Sequence, residues 1–136
     1  MKILARAFRV LLTLWAGSLW SLLWVAAVLF RFLSDRHAAG LIAARLFSIE
    51  TYLGLAVAAL ALLLPNRGRF RLGFVAVSLL AINEWMLKRV MGLAQAQGSA
   101  WGLGFGAWHG VSAGLYVLAC VCVALILVRQ ENLGYL

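Results

Sequence analysis

Leu60-Ala61-Leu62-Leu63-Leu64-Pro65-Asn66-Arg67-Gly68-Arg69-Phe70-Arg71 is the stretch that decides the architecture. An apolar run stops at a proline and a glycine, which favour a tight turn over continued helix, and a second apolar run begins behind alternating arginines. The two runs form an antiparallel helical hairpin with a basic turn at one membrane face. Working outward, four apolar segments can be drawn, at about 10–32, 41–64, 70–91 and 104–128, each near the ~20 residues that cross hydrocarbon. The fold class is therefore all-α, a polytopic membrane protein built as a bundle of four transmembrane helices.

Composition agrees. Of the 136 residues, 65% are hydrophobic and 12% charged, against roughly 45–50% and about 25% in a soluble domain. Folding in water would leave too little polar surface. No linker divides the chain, so one transmembrane domain over residues 1–136 is expected. The net charge of +8 would suit nucleic acid if the basic residues formed one stripe. They sit instead at the ends of apolar runs, which points to the lipid bilayer as partner and not to nucleic acid. Cys120 and Cys122 lie inside an apolar run and point to different faces of a helix, so no disulfide framework is implied.

Lys2, Arg6 and Arg9 before the first run resemble the basic start of a signal peptide. The run is longer than the roughly 7–15 residues of such a segment and lacks a small-residue cleavage site before Arg31, so it reads as an uncleaved first span. Lys and Arg are retained on the cytoplasmic side. With four spans, Lys2, Arg6, Arg9, Arg67, Arg69, Arg71 and Arg129 share one side, and Arg31, Arg36, Arg45, Lys88 and Arg89 the other. The unbroken arginine triplet of the short turn decides for an inner-membrane protein with both termini cytoplasmic.

The polar residues inside the apolar runs are the candidate site. A charge at the bilayer centre costs about 2.5–3.5 kcal/mol on insertion scales, so each needs a partner, a shallow position or a role. Glu50, Asn83, Glu84, Lys88 and His109 all fall in the outer half of the four-span scheme, with Glu50 ~13 Å, Glu84 ~10 Å and His109 ~7 Å from their outer helix ends. Glu84 and Lys88, four apart with the acid first, suit an intrahelical pair. Glu50 has no local partner and must be protonated, reach water or pair across helices. It shares a strip with Gly54, Ala58 and Ala61. His109 shares one with Ser112, Ala113 and Tyr116, so a Glu and a His facing one cavity would relay protons or coordinate a cation. Gly106, Gly110 and Gly114 repeat every fourth residue in the last run, and with Gly54 they are expected to pack helix against helix, facing into the bundle. The bland alternative is that buried polar groups serve only as interhelical glue.

The tryptophans fit interfacial belts, and Cys120 stands ~16 Å along the helix from His109, too far for shared ligation. His37, near Asp35, reads as a solvated loop residue. No Walker loop, dinucleotide fingerprint, zinc-protease helix or nucleophile elbow is present, so no catalytic residue is assigned and the chain leans away from an enzyme. Metal and cofactor stay unspecified. A bis-histidine haem would need His37 folded inward to join His109.

Leu14-Trp15-Ala16-Gly17-Ser18-Leu19-Trp20, Val28-Leu29-Phe30, Gly40 through Leu46-Phe47, Glu50-Thr51-Tyr52-Leu53-Gly54, Asn83, Trp108-His109-Gly110 and Tyr116 occur in an order that resembles the transmembrane-protein-205-like family, a bacterial membrane domain of unknown function with eukaryotic relatives. That family often has a proline before the Leu-Phe of the first helix, where this chain has Ala27-Val28, so the kink is in doubt. The layout is also similar, more distantly, to four-helix membrane proteins of the copper-resistance D type, with fewer histidines. The resemblance implies a compact inner-membrane protein linked to metal or drug tolerance, with Glu50, Asn83 and His109 as the residues carried over. The combined reading is a non-enzymatic protein with an outer-half polar pocket for a cation or small solute, a transporter role that would call for a homo-oligomer. A membrane redox, haem or copper-handling protein and a structural or assembly subunit are the alternatives.

Overall fold

The computed structural model describes residues 2–64 and 67–132. The Pro65-Asn66 turn lies outside the described residues. Helix α1 runs Lys2–Phe32, α2 Arg36–Leu62, α3 Arg71–Ile82, α4 Lys88–Gln97 and α5 Phe105–Asn132. A short 3-10 segment, Arg67–Phe70, precedes α3, and a π-helical segment, Asn83–Leu87, joins α3 to α4 as one continuous third span. Among the described residues, four helices are long and apolar enough to cross a membrane.

The core positions of α1 are Phe8, Leu12, Trp15, Leu19 and Leu22, spaced three or four apart on one face. They meet Val57, Ala58 and Ala61 of α2, Ala76, Val77 and Leu80 of α3, and Tyr116, Ala119, Cys120, Val123 and Ile126 of α5 in one cluster. Neighbours run in a ring: α1 against α2, α2 against α3, α3 against α5, and α5 back against α1. In each span only 28–33% of the most apolar window is buried. The remainder, including Leu14, Trp24, Leu53, Leu63 and Val128, faces outward. Such a surface is stable only under lipid, which makes this a multi-pass membrane protein.

Helix ends depart from the apolar segments for identifiable reasons. α2 begins at Arg36 rather than about residue 41, because Asp35 caps it: the carboxylate accepts the backbone N–H groups of His37 at 2.9 Å and Ala38 at 3.0 Å. α1 starts at Lys2, well before residue 10, and its 31 residues span ~46 Å against ~30 Å of hydrocarbon. It runs unbroken past Ala27-Val28, as the lack of proline there allows. The third span continues to Gln97, where Gly98 at φ 84° ends it in the left-handed region.

Beyond Gly98, Ala100 and Leu103 exchange backbone hydrogen bonds of 2.9 and 3.0 Å around Trp101 and Gly102, both at positive φ. The Trp108 indole donates to the Ala100 carbonyl at 2.9 Å, fastening this turn to α5. At the other end of the bundle, the Phe70 ring lies on Gly73, where a Cβ would collide with it. Phe8 meets Phe70 edge-on at 5.6 Å, drawing the start of α1 to the α2–α3 turn.

Candidate functional site: a polar layer across the bundle

Glu50 is 7% exposed, on the face of α2 that meets α1. The early start of α2 moves it: it lies ~21 Å from the first residue of its helix rather than ~13 Å, close to the helix midpoint. Its hydrogen-bond partner is Ser18, whose Oγ stands 3.0 Å from Oε2. Ser18 Oγ is also 2.9 Å from the Trp15 carbonyl. A hydroxyl has one proton, so these two acceptors compete for it. One turn along α2, the Trp15 ring covers Gly54, where a Cβ would sit 2.7 Å from Cζ2. The buried Trp15 Nε1 has no hydrogen-bond partner among the described residues.

Two residues before Glu50, and therefore on the opposite side of the helix, Ser48 belongs to a second cluster. Lys88 Nζ lies 2.5 Å from Glu84 Oε2, 2.6 Å from Ser48 Oγ and 3.3 Å from the Ala44 carbonyl. Ser48 Oγ in turn reaches Glu84 Oε1 at 2.9 Å. Ser48 Oγ is also 3.0 Å from the Ala44 carbonyl, which Lys88 serves as well, so the ammonium and hydroxyl protons can satisfy the cluster as an ionised pair.

The third cluster joins α5. Asn83 Nδ2 donates to the Ser112 carbonyl at 3.0 Å, and Ser112 Oγ donates to Asn83 Oδ1 at 2.6 Å. Asn83 opens the π segment, in which the Lys88 N–H reaches the Asn83 carbonyl five residues back. The wide turn lets successive residues serve different neighbours, Asn83 toward α5 and Glu84 toward α2. Replacing Asn83 by Leu removes both bonds and is expected to cost ~1 kcal/mol. Ser112→Ala keeps the bond to the carbonyl and should cost less. Detergent-denaturant titrations of the two variants check the order. Deeper in the bundle Tyr116 Oη donates to the Leu19 carbonyl at 2.8 Å, tying α5 to α1.

Two expectations are corrected. His109 does not face Glu50: it is exposed, stacked on Phe105 with ring centroids 5.9 Å apart. It shares a helical face with buried Tyr116 but lies two turns nearer the Ala100–Leu103 turn. There Gly106, Ala107, Gly110 and Val111 are exposed too, because α4 covers the start of α5 only on the Trp108 side. Gly106, Gly110 and Gly114 look outward rather than into the bundle, and a Cβ added at any of them would meet nothing within 4 Å. The residues buried on α5, from Tyr116 through Ile126, define a different face.

Of the five candidate site residues, Glu84 and Lys88 therefore meet, Asn83 turns to α5, Glu50 stands apart on the α1 side, and His109 lies outside. Sequence reasoning passed over Ser18 and Ser48 as partners; a hydroxyl in an apolar run is so cheap that its presence signals little. Among the described residues no three His, Cys, Asp or Glu side chains gather as a metal site.

Residues 10–131 match the family model of a domain of unknown function, DUF4149. No curated protein and no solved structure matches the chain. The match covers most of the chain, which belongs to this family.

Proposed function

We propose that this DUF4149 member is a non-enzymatic protein of the bacterial inner membrane whose Glu50 carboxyl binds a cation, the proton first, as part of moving a cation or small solute. The observation that carries the reading is a buried carboxyl, 7% exposed, whose partner is the neutral Ser18 hydroxyl rather than a cationic side chain. If the single Ser18 proton goes to the Trp15 carbonyl at 2.9 Å, the 3.0 Å contact with Glu50 needs a proton from the carboxyl itself. Glu84 has Lys88 beside it; the Glu50 carboxyl has the neutral Ser18 hydroxyl. A carboxylate held among apolar helices without a counter-charge takes up a proton or a cation.

The arginines around the α2–α3 turn support an orientation with that end, and both ends of the chain, in the cytoplasm. The order of the quoted motifs supports kinship with the transmembrane-protein-205-like proteins and, through it, a place in metal or drug tolerance. A pathway through so few helices calls for a second copy, and the outward glycines of α5 would allow one to approach closely.

The test is labelling with a hydrophobic carbodiimide, which attacks protonated carboxyls in apolar surroundings, followed by peptide mass analysis. Glu50 is expected to be the modified residue, with labelling suppressed at alkaline pH and absent from Glu50→Gln. Folded protein that resists the reagent at neutral pH would sink the reading. A second reading, a structural or assembly subunit, draws support from the self-contained Ser48–Glu84–Lys88 and Asn83–Ser112 clusters. It requires Glu50→Gln to lower the melting temperature, whereas the cation-site reading leaves the fold of that variant intact.

A further inference from the structure

Beside Glu50, one polar group is left over once the hydrogen bonds of the α1–α2 contact are made. Trp15 is 3% exposed, and its Nε1–H is buried without a partner among the described residues. A buried indole N–H ordinarily finds an acceptor. The edge of the ring that carries this N–H is turned to α2: Cζ2 and Cε2, the latter bonded to Nε1, come within 2.7 and 3.2 Å of where a Gly54 Cβ would stand. Glu50 is one turn away on the same face of α2. Ser18 Oγ ties it back to α1, standing 3.0 Å from Glu50 Oε2 and 2.9 Å from the Trp15 carbonyl. The orphaned donor and the buried carboxyl therefore border the same stretch of the contact between α1 and α2.

The other polar side chains around them are engaged elsewhere. Thr51 donates to the Phe47 carbonyl at 3.1 Å. From α5, Tyr116 and Cys120 both donate to the Leu19 carbonyl, at 2.8 and 3.8 Å, and α3 brings the apolar Val77 against Gly54. A ligand here thus meets one N–H that can only donate, a carboxyl and a shared hydroxyl. A metal cation would face the positive end of the N–H and too few free oxygens, since hard cations take about six or more. A water molecule offers a lone pair to the indole and hydrogens to the carboxyl, and a buried water needs only about two to four polar partners.

We propose that a water molecule bridges the Trp15 indole N–H and the Glu50 carboxyl, and that the cation this site takes is the proton alone, to the exclusion of metal ions. The inference rests on the Glu50 reading above and narrows it. Ser18 takes Oε2, which leaves Oε1 to accept from the water. Trp15 is then the residue that sets specificity: by donating to the water oxygen it turns the water's hydrogens toward the carboxyl and keeps a positive group where a metal ion would have to sit.

The test pairs a readout at Trp15 with one at Glu50, both on the full chain in detergent. In nuclear magnetic resonance of protein carrying isotope-labelled tryptophan, the Trp15 indole signal is identified by its loss in Trp15→Phe. It is expected to show magnetisation transfer from a bound water, and to lose that transfer in Glu50→Leu, with circular dichroism reporting the fold of both variants. Carbodiimide labelling of Glu50 in the wild-type protein at neutral pH is expected to be the same in sodium, potassium or choline chloride. A dry Trp15 indole beside a Glu50 that the reagent labels overturns the inference and leaves the Glu50 reading standing. Protection of Glu50 by sodium or potassium, which needs no variant, overturns it as well, because the site would then hold a metal ion. A hydrated Trp15 beside a Glu50 that resists the reagent sinks the Glu50 reading itself and removes the proton from the inference, leaving a structural water.

Discussion

Lys88→Met is expected to destabilise the detergent-solubilised protein by ~2 kcal/mol, below the cost for a fully buried pair, and Glu84→Gln by markedly less, because removing one member of a half-buried pair strands the other. The asymmetry follows from exposure. The Lys88 side chain is 33% exposed and the Glu84 side chain 13%. Without Glu84, the lysine keeps Ser48 and the Ala44 carbonyl, and its flexible stem can carry the ammonium outward to water. Without Lys88, the carboxylate keeps Ser48 and has no such reach. The double variant Lys88→Met/Glu84→Gln should recover most of the loss, since no net charge is then left inside. Denaturant titration of the four proteins gives the cycle. Equal costs for the two single substitutions would mean that Glu84 is solvated in the bilayer and the pair is ornamental.

The fold was legible because hydropathy in a bilayer is a one-dimensional signal: each span must present about twenty apolar residues, and the Pro65–Gly68 turn marks one reversal. Helix ends were less so. A helix does not stop where hydrocarbon does, and the cap at Asp35 sets the start of α2 while no apolar residue does. The Glu84–Lys88 pair could be read from spacing alone, since both lie on one helix. Contacts between helices could not. Helical faces place Glu50 and His109 inward only if neighbours cover both helices along their full length, and the His109 side of the start of α5 is uncovered. The π segment over Asn83–Leu87 left no sign in residues that suit an ordinary helix, yet it sends Asn83 and Glu84 to different partners.

The three clusters differ in charge compensation: Glu84 has Lys88 beside it, Asn83 and Ser112 are neutral, and Glu50 has the neutral Ser18 hydroxyl. Around Lys88 and around Asn83, donors and acceptors pair within the cluster. The Ser18 and Ser48 hydroxyls each face a main-chain carbonyl and a carboxyl group, but only at Ser48 does a lysine share the load, and the Trp15 indole N–H near Glu50 is buried without a partner among the described residues. A polar group left unmatched in a dry interior is costly. The Trp15 indole and the Glu50 carboxyl place that cost on the α1–α2 pair.

Glycine substitutions should divide the two small-residue strips sharply. Gly54→Ala is expected to cost ~3 kcal/mol, at the upper end for overpacking. The new methyl would stand 2.7 Å from Trp15 Cζ2 and 3.3 Å from Val77 Cγ2, and Trp15, itself 3% exposed, is hemmed in by the core. Either the ring or α2 must shift, and because Glu50 lies one turn away, its contact with Ser18 should loosen along with the packing. Gly110→Ala meets nothing within 4 Å, and alanine favours helix over glycine by ~1 kcal/mol, so a monomer should be unchanged or slightly more stable. Melting curves of both variants in detergent distinguish the cases, and the dependence on protein concentration adds a second reading. If Gly110→Ala instead destabilises, and does so only at high protein concentration, the outward glycine strip is pressed against another copy. A loss at every concentration would contradict the outward placement of that face of α5.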